Sequence, residues 1–433
     1  MNRLLRVLVF LLTVLVGLSL YANVSARSIP YIPLQDNVLK ASSALGLLSL
    51  GLLLFFGGWI LLKRPAQHGR TVRVLAATSV GGGAVCLLLA VILAASNWSN
   101  GSPVMQISTP TVKWVFKTNR GIYSRPVVAE DLVYFGSAPG GLYALDRQSG
   151  QQRWHFAADN SVDSDPVITR EKVYFGTYGG AVHGLDYLTG REIWHYQPEA
   201  YGMLPCPTIS DNTMYVAGCI WAGVNNELIA IDLAASTEKW RYRPEQPVLW
   251  RPALAGKTAF VTTSKGSLQA IDANTTEVRW TFQVPNVEFT PAEVSGGEVY
   301  VRGSDGNFYA VDIRTGQEKW RIFTQPQNGV PVPMTLTDNV AYFGVRNYLY
   351  VVDVRNHELL WQYRLDQNIM TAPAVANGVV YVGTRNGPLY ALDMTARREK
   401  WRFEAGGDVI STPVVVDGVV YFGSMDGNFY AVQ

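Results

Sequence analysis

Cysteine is scarce in this chain of 433 residues, which carries only Cys86, Cys206 and Cys219. No two are adjacent and none opens a Cys-x-x-Cys-His run, which excludes haem attachment through that motif. Histidine is nearly as rare, with His68, His155, His183, His195 and His357. His155 and His195 each follow a tryptophan, at a position that other repeats fill with Arg241, Thr281 or Arg402, so they read as occupants of a tolerant outer-strand site. A zinc centre needs several converging ligands; the spacing brings none together, and no metal ligand is expected. Most carboxylates fall at repeat-equivalent turn positions. No acid–base pair stands apart from them, so no catalytic residue is assigned.

Net positive charge is lacking over most of the chain. Residues 1–104 hold eight Lys or Arg and one Asp, leaving 28 basic and 33 acidic residues beyond them. A nucleic-acid-binding surface needs a basic footprint, so nucleic acid is excluded as a partner. Within the first hundred residues charge disappears altogether from 7–26, 41–62 and 74–96. The last two runs are long enough to cross about 30 Å of hydrocarbon as helices. Lys63, Arg64, Arg70 and Arg73 crowd the loop between them, which places that loop in the cytoplasm. Arg3 and Arg6 put the N-terminus on the same side, so the remainder of the chain emerges outside. The first run reads either as a third span or as a signal peptide cleaved after Val24-Ser25-Ala26. Both readings give the same final topology. With no ionisable residue in the second and third runs, and with Gly46, Gly51, Gly57, Gly58 and Gly81 to Gly83 permitting close contact, they form a hairpin anchor rather than a channel. Helical spans belong in a cytoplasmic-type (inner or plasma) membrane, with the following domain on the periplasmic or extracellular side. Residues 97–111, rich in Ser, Asn, Gly and Pro, are the linker.

What the chain has in abundance is tryptophan at a fixed interval. Trp114, Trp154, Trp194, Trp240, Trp280, Trp320, Trp361 and Trp401 recur about every forty residues. A proline follows each about twelve residues later, at 126, 166, 207, 252, 291, 333, 373 and 413. Then come a run like Val133-Tyr134-Phe135-Gly136-Ser137 and one like Leu142-Tyr143-Ala144-Leu145-Asp146. β-Branched and aromatic runs between Gly, Asp and Asn clusters are strands and tight turns. A forty-residue period of four such strands is a β-propeller. The last repeat stops at Val432-Gln433, one strand short, and Val112 to Phe116 is a tryptophan strand with nothing before it. Together they complete one blade. The fold expected is all-β: an eight-bladed propeller of four-stranded antiparallel blades over 112–433, its N-terminal strand closing the last blade, preceded by two or three transmembrane helices in 1–96.

The repeat resembles that of the PQQ-like β-propeller family, Ala-x-Asp-x-x-Thr-Gly-x-x-x-Trp. Residues Ala310 to Trp320 match every specified position; Ala144 to Trp154 differs only in Ser149, and Gly184 to Trp194 only in its first residue. Later copies carry Thr276 and Arg397 where glycine is expected. The resemblance implies that each of the eight tryptophans docks between neighbouring blades. It also implies two trades. Quinoprotein dehydrogenases bind pyrroloquinoline quinone (PQQ) and calcium and oxidise alcohols or sugars. BamB-like members only bind proteins. This chain has compact blades, with room for one insertion of about six residues, and no adjacent cysteines. Those features favour a scaffold that binds an extracytoplasmic or membrane protein, without cofactor, over the alternatives of a dehydrogenase using PQQ and calcium or a small-ligand receptor. No lipobox cysteine ends the first hydrophobic run, a departure from the BamB pattern.

Repeat-breaking residues mark a candidate surface. The residue before each proline starts the innermost strand and is expected to face the central funnel: Arg125, Asp165, Cys206, Arg251, Thr290, Val332, Ala372 and Thr412. Arg125 and Asp165, in adjacent blades, form either a simple salt bridge or part of a binding site. Tyr201, Met203, Trp221 and Trp250 add aromatic and soft apolar groups beside Arg251, and such clusters resemble interaction hot spots; inter-blade packing accounts equally well for Trp221 and Trp250. Cys206 and Cys219 fall where antiparallel neighbours bring strand ends together, giving either a disulfide or two buried thiols.

Overall fold

Strands dominate because the chain alternates β-formers with tight-turn residues every five or six positions. In the computed structural model these fold into eight four-stranded antiparallel sheets. The structure describes residues 109–433 except 119, 139, 198–204, 219–226, 249 and 327–331. The predicted membrane spans and linker start, with Cys86 and His68, lie outside the described residues.

Blade 1 shows the plan. Its strands are Val127–Ala129, Leu132–Ser137, Gly141–Asp146 and Gln152–Phe156, ordered from the axis outward. The second and third strands are buried on both faces, as in Leu132–Ser137, because a neighbouring blade covers each side. The three-residue inner strand is only partly buried where it lines the axis. Blade 8 is made from both ends of the propeller: Val112–Lys117 pairs with Asn428–Val432, Trp114 opposite Ala431. Reciprocal backbone bonds of 2.8 Å between Thr111 and Gln433 finish the seam. A ring closed this way completes all eight blades and leaves as edges their outer strands, five to seven residues long among the described residues.

Each tryptophan joins one blade to the next. The Trp114, Trp154, Trp240 and Trp280 indole N–H groups donate to the carbonyls of Arg147, Tyr187, Ala273 and Ile313, each 33 residues on. Those carbonyls sit just after the turn aspartate. Asp312 Oδ1 accepts the backbone N–H groups of Arg314 and Thr315, and Asp146, Asp186, Asp232, Asp272, Asp353 and Asp393 hold equivalent turns. The turn then needs a positive φ, taken by Gly150, Gly190 and Gly316 near +70°. These glycines also lie flat on the preceding blade's indole, where a Cβ on Gly316 would meet Trp280 at 2.6 Å. In the degenerate copies Ser236, Thr276, His357 and Arg397 adopt the same conformation, with φ between 52° and 64°.

Candidate functional site: the central funnel

The eight inner strands surround a funnel of about 980 Å³. Its mouth opens on the face where chains enter the inner strands and where second and third strands connect. Bonds such as Tyr178 N–H to Ser161 O, 2.9 Å, tie those two sets of loops together. Arg125, Asp165, Cys206, Arg251, Val332, Ala372 and Thr412 all line the funnel.

The proline register slips in blades 5 and 6, which removes Thr290 from the eight expected funnel positions. Glu293 pairs with Tyr300 as Val127 pairs with Tyr134, so Pro291, not Thr290, occupies the place of Arg125. By the same register Pro333 is the equivalent of Arg125 in blade 6, and Val332 lines the funnel beside it as expected. Thr290 is fully buried and works as a latch: its Oγ1 accepts the Arg302 backbone N–H at 3.0 Å. Ser124, Ser164 and Thr371 do the same for Gly136, Gly176 and Gly383. The sequence signal for this latch is a hydroxyl one or two residues before the blade proline.

The register also places Glu293 inside the funnel, a residue the proline rule overlooks. Charge is therefore unevenly spread around the wall. Arg125, Asp163, Asp165, Arg251 and Glu293 come from blades 1, 2, 4 and 5, whereas Pro333, Ala372, Ile410 and Thr412 present an uncharged wall from blades 6 to 8. Arg125 and Asp165 do meet, but through the Arg125 backbone N–H, which donates to Asp165 Oδ1 at 2.8 Å. The guanidinium nearest Asp165 is that of Arg251, 3.9 Å from Oδ2. The expected side-chain pair between blades 1 and 2 is thus replaced by a backbone contact and a longer ion pair from blade 4.

Removal from bulk water shapes the titration of these groups. Burial lowers the Arg125 guanidinium, with Asp165 opposing that shift. Burial raises Glu293, partly offset by Arg251 and Arg125. Asp163 is pushed up to about 6 by burial alone, and its Oδ1 is buried with no hydrogen-bond partner among the described residues. Tyr123 and Tyr178, about half exposed, and Met370 edge the funnel lining on the same side.

For Trp250 the structure selects inter-blade packing from the two expected roles. It borders the funnel but is 6% exposed, and its indole N–H donates to Phe289 O at 2.9 Å. It is an inter-blade wedge rather than an exposed anchor, standing at the latch position that serine or threonine holds elsewhere. Tyr201, Met203 and Trp221 lie outside the described residues, as does Cys219; Cys206 is disulfide-bonded.

Away from the funnel, Arg302 is fully buried where blades 1, 2, 6, 7 and 8 have glycine, and its guanidinium is lowered to about 10 by burial. The histidines, read as scattered, are partly gathered. His155 stacks on Tyr143 and bonds Gly140 O, while His183, Glu192 and His195 converge on one side of blade 2.

A family profile described as "Outer membrane protein assembly factor BamB" matches residues 97–246, 224–372 and 345–433. Among solved structures, BamB from Moraxella catarrhalis aligns with 16% identity and a TM-score of 0.62 over 75% of this chain and 100% of that one. Quinohemoprotein alcohol dehydrogenase from Comamonas testosteroni aligns with 16% identity and a TM-score of 0.63, over 75% of this chain and 76% of that one. The computationally designed Ika8 protein gives 16% identity and 0.64 over 73% and 97%. At such identity these likenesses establish the fold. A search of the curated proteins finds no match.

Proposed function

The chain belongs to the family described as outer membrane protein assembly factor BamB, and from that premise we propose that its propeller is a protein-binding scaffold whose docking surface is the funnel mouth. The observation that carries this reading is the composition of that mouth: accessible Tyr123, Tyr178 and Met370 beside Arg125, Arg251 and an Asp163 oxygen with no hydrogen-bond partner among the described residues. Tyr, Met and Arg are the residues enriched where proteins dock. The sequence supports an anchor of two or three helices in a cytoplasmic-type membrane, with the propeller outside it. Service as a scaffold there, for an extracytoplasmic or membrane protein partner, follows from both.

The donor set of the funnel does not suit the cofactor of the dehydrogenase alternative. PQQ is a planar tricarboxylate, and here two guanidiniums already face three carboxyl groups, Asp163, Asp165 and Glu293. Calcium takes six to eight oxygens at one point, and among the described residues those three carboxyl groups do not form a converging set. No catalytic step is derived through either.

The test is site-specific photo-crosslinking in cells from positions 178 and 370, with position 188 on an exposed turn away from the funnel as control. The expected result is a discrete protein adduct from the two mouth positions and none from the control. Equal labelling at all three, or tight retention of PQQ with calcium and dye reduction by alcohols or sugars, would overturn the scaffold reading.

A further inference from the structure

His183 lies on the third strand of blade 2, Val182–Asp186, directly opposite His195 on the outer strand, Glu192–Tyr196. Glu192 precedes His195 by three residues, and in a regular strand that spacing puts two side chains on opposite faces. A bulge between Gly184 and Leu185 adds one residue to the outer strand and turns Glu192 to the same face as both histidines. The result is a compact triangle: His183 Nδ1 to Glu192 Oε1 is 2.7 Å, His195 Nδ1 to Glu192 Oε1 is 3.4 Å, and the two Nδ1 atoms are 3.4 Å apart.

The triangle has the dimensions of one face of a zinc tetrahedron. With Zn–N and Zn–O distances of about 2.0–2.1 Å, neighbouring ligand atoms stand about 3.3 Å apart. Two edges already have that length, and the third opens by about 0.6 Å when a metal replaces the hydrogen of the His183–Glu192 bond. The imidazole then keeps its single proton on Nε2. His183 is held rigidly, 7% exposed and stacked on Phe175 with Phe156 beside it. His195 and Glu192 have side chains 47% and 38% exposed, which leaves the fourth vertex to solvent.

Comparison among the blades isolates what is special here. The same bulge in blades 3, 5 and 7 brings Glu238 to Arg241, Glu318 to Arg321 and Glu399 to Arg402 as ion pairs. Arginine is always protonated and cannot ligate a metal. Only blade 2 replaces it with histidine and adds a second histidine across the strand pair.

We propose that His183, Glu192 and His195 form a solvent-open zinc site on blade 2, with a water in the fourth position. Ligands of this type and number suit Zn²⁺ over the harder Mg²⁺ and Ca²⁺. The site is separate from the funnel and stands whether or not the funnel binds protein.

The experiment is calorimetric titration of the tag-free, full-length protein in detergent with ZnCl₂, with Co²⁺ as an optical probe. One equivalent of zinc and the visible ligand-field bands of four-coordinate Co²⁺ are expected. His195→Arg recreates the ion pair of blades 3, 5 and 7 and so keeps the fold; it should weaken zinc by roughly a hundredfold or more, as should Glu192→Gln. His155→Ala, the equivalent position in blade 1, should change nothing. No stoichiometric binding by the natural chain, or undiminished binding in His195→Arg and Glu192→Gln, would overturn the site.

Discussion

Gly316 carries two duties at once, a φ of +72° and a face laid on the Trp280 indole. Gly316→Ala should therefore cost about 1–3 kcal/mol from strain and overpacking, read as a lower unfolding midpoint in denaturant. Thr276 holds the same turn at φ +64° with a side chain in place. Relief of left-handed strain, worth about 1 kcal/mol, is opposed by the greater freedom glycine gives the unfolded chain. Thr276→Gly should accordingly leave the midpoint within about 1 kcal/mol of its starting value, in contrast to Gly316→Ala. Asp163 gives a pH-dependent prediction. Its folded pKa of about 6 lies above the ordinary carboxyl value of 3.8, so the folded protein holds the extra proton between those pH values. The stability that Asp163 contributes is complete below pH 3.8 and is lost as pH rises through 6. Asp163→Asn should thus stabilise at pH 8 by at most about 3 kcal/mol and have little effect at pH 4, measured as the difference in Tm between the two.

At the scale of the element, the inner strand is three residues long in every blade but the third, where it is Pro205–Ser210, and in blade 2 it depends on the latch before it. Ser164 Oγ accepts the Gly176 N–H at 2.7 Å and donates to Gly176 O at 2.9 Å, both buried. Ser164→Ala leaves a buried backbone N–H without its partner, at a cost of about 1–3 kcal/mol. Ser164→Thr should be tolerated, because Thr290 and Thr371 fill the same role. Equilibrium unfolding of both variants checks this contrast; equal destabilisation would mean that the cavity, and not the hydrogen bond, matters. The outer strand shows the complementary rule. Its bulge sits just before the tryptophan in blade after blade, so residues three apart share a face, and a reading based on strict alternation separates Glu192 from His195.

For the propeller as a whole, cooperativity depends on closure. Val112–Lys117 covers the Asn428–Val432 edge, and Trp114 carries its blade's link to Arg147 in blade 1. Replacing residues 111–117 with a Gly/Ser linker removes a strand and one of the inter-blade indole bonds together. The expected outcome is a lower, broadened thermal transition and concentration-dependent association through the opened edge, checked by calorimetry and light scattering. An unchanged sharp transition would show that seven blades and a three-stranded remainder suffice.

The eight blades, their strand order and the seam between the two ends were legible in the sequence, because each rests on local signals repeated eight times: a tryptophan, a turn aspartate, a β-branched run. Repetition also exposed Arg125, Asp165 and Arg251 as departures on the funnel wall. What the sequence could not supply was register. A proline displaced by one residue in blade 5 put Glu293 into the funnel and Thr290 into the core, and a one-residue bulge gathered His183, Glu192 and His195. Trp250 fitted an interaction anchor and inter-blade packing equally well and is a buried wedge, since burial depends on what the next blade lays over it. Side-chain period in a strand is two, so a shift of one residue reverses which face a group occupies. Hydrogen bonds between strands and packing between blades fix that single residue, and both are made only in the folded tertiary structure.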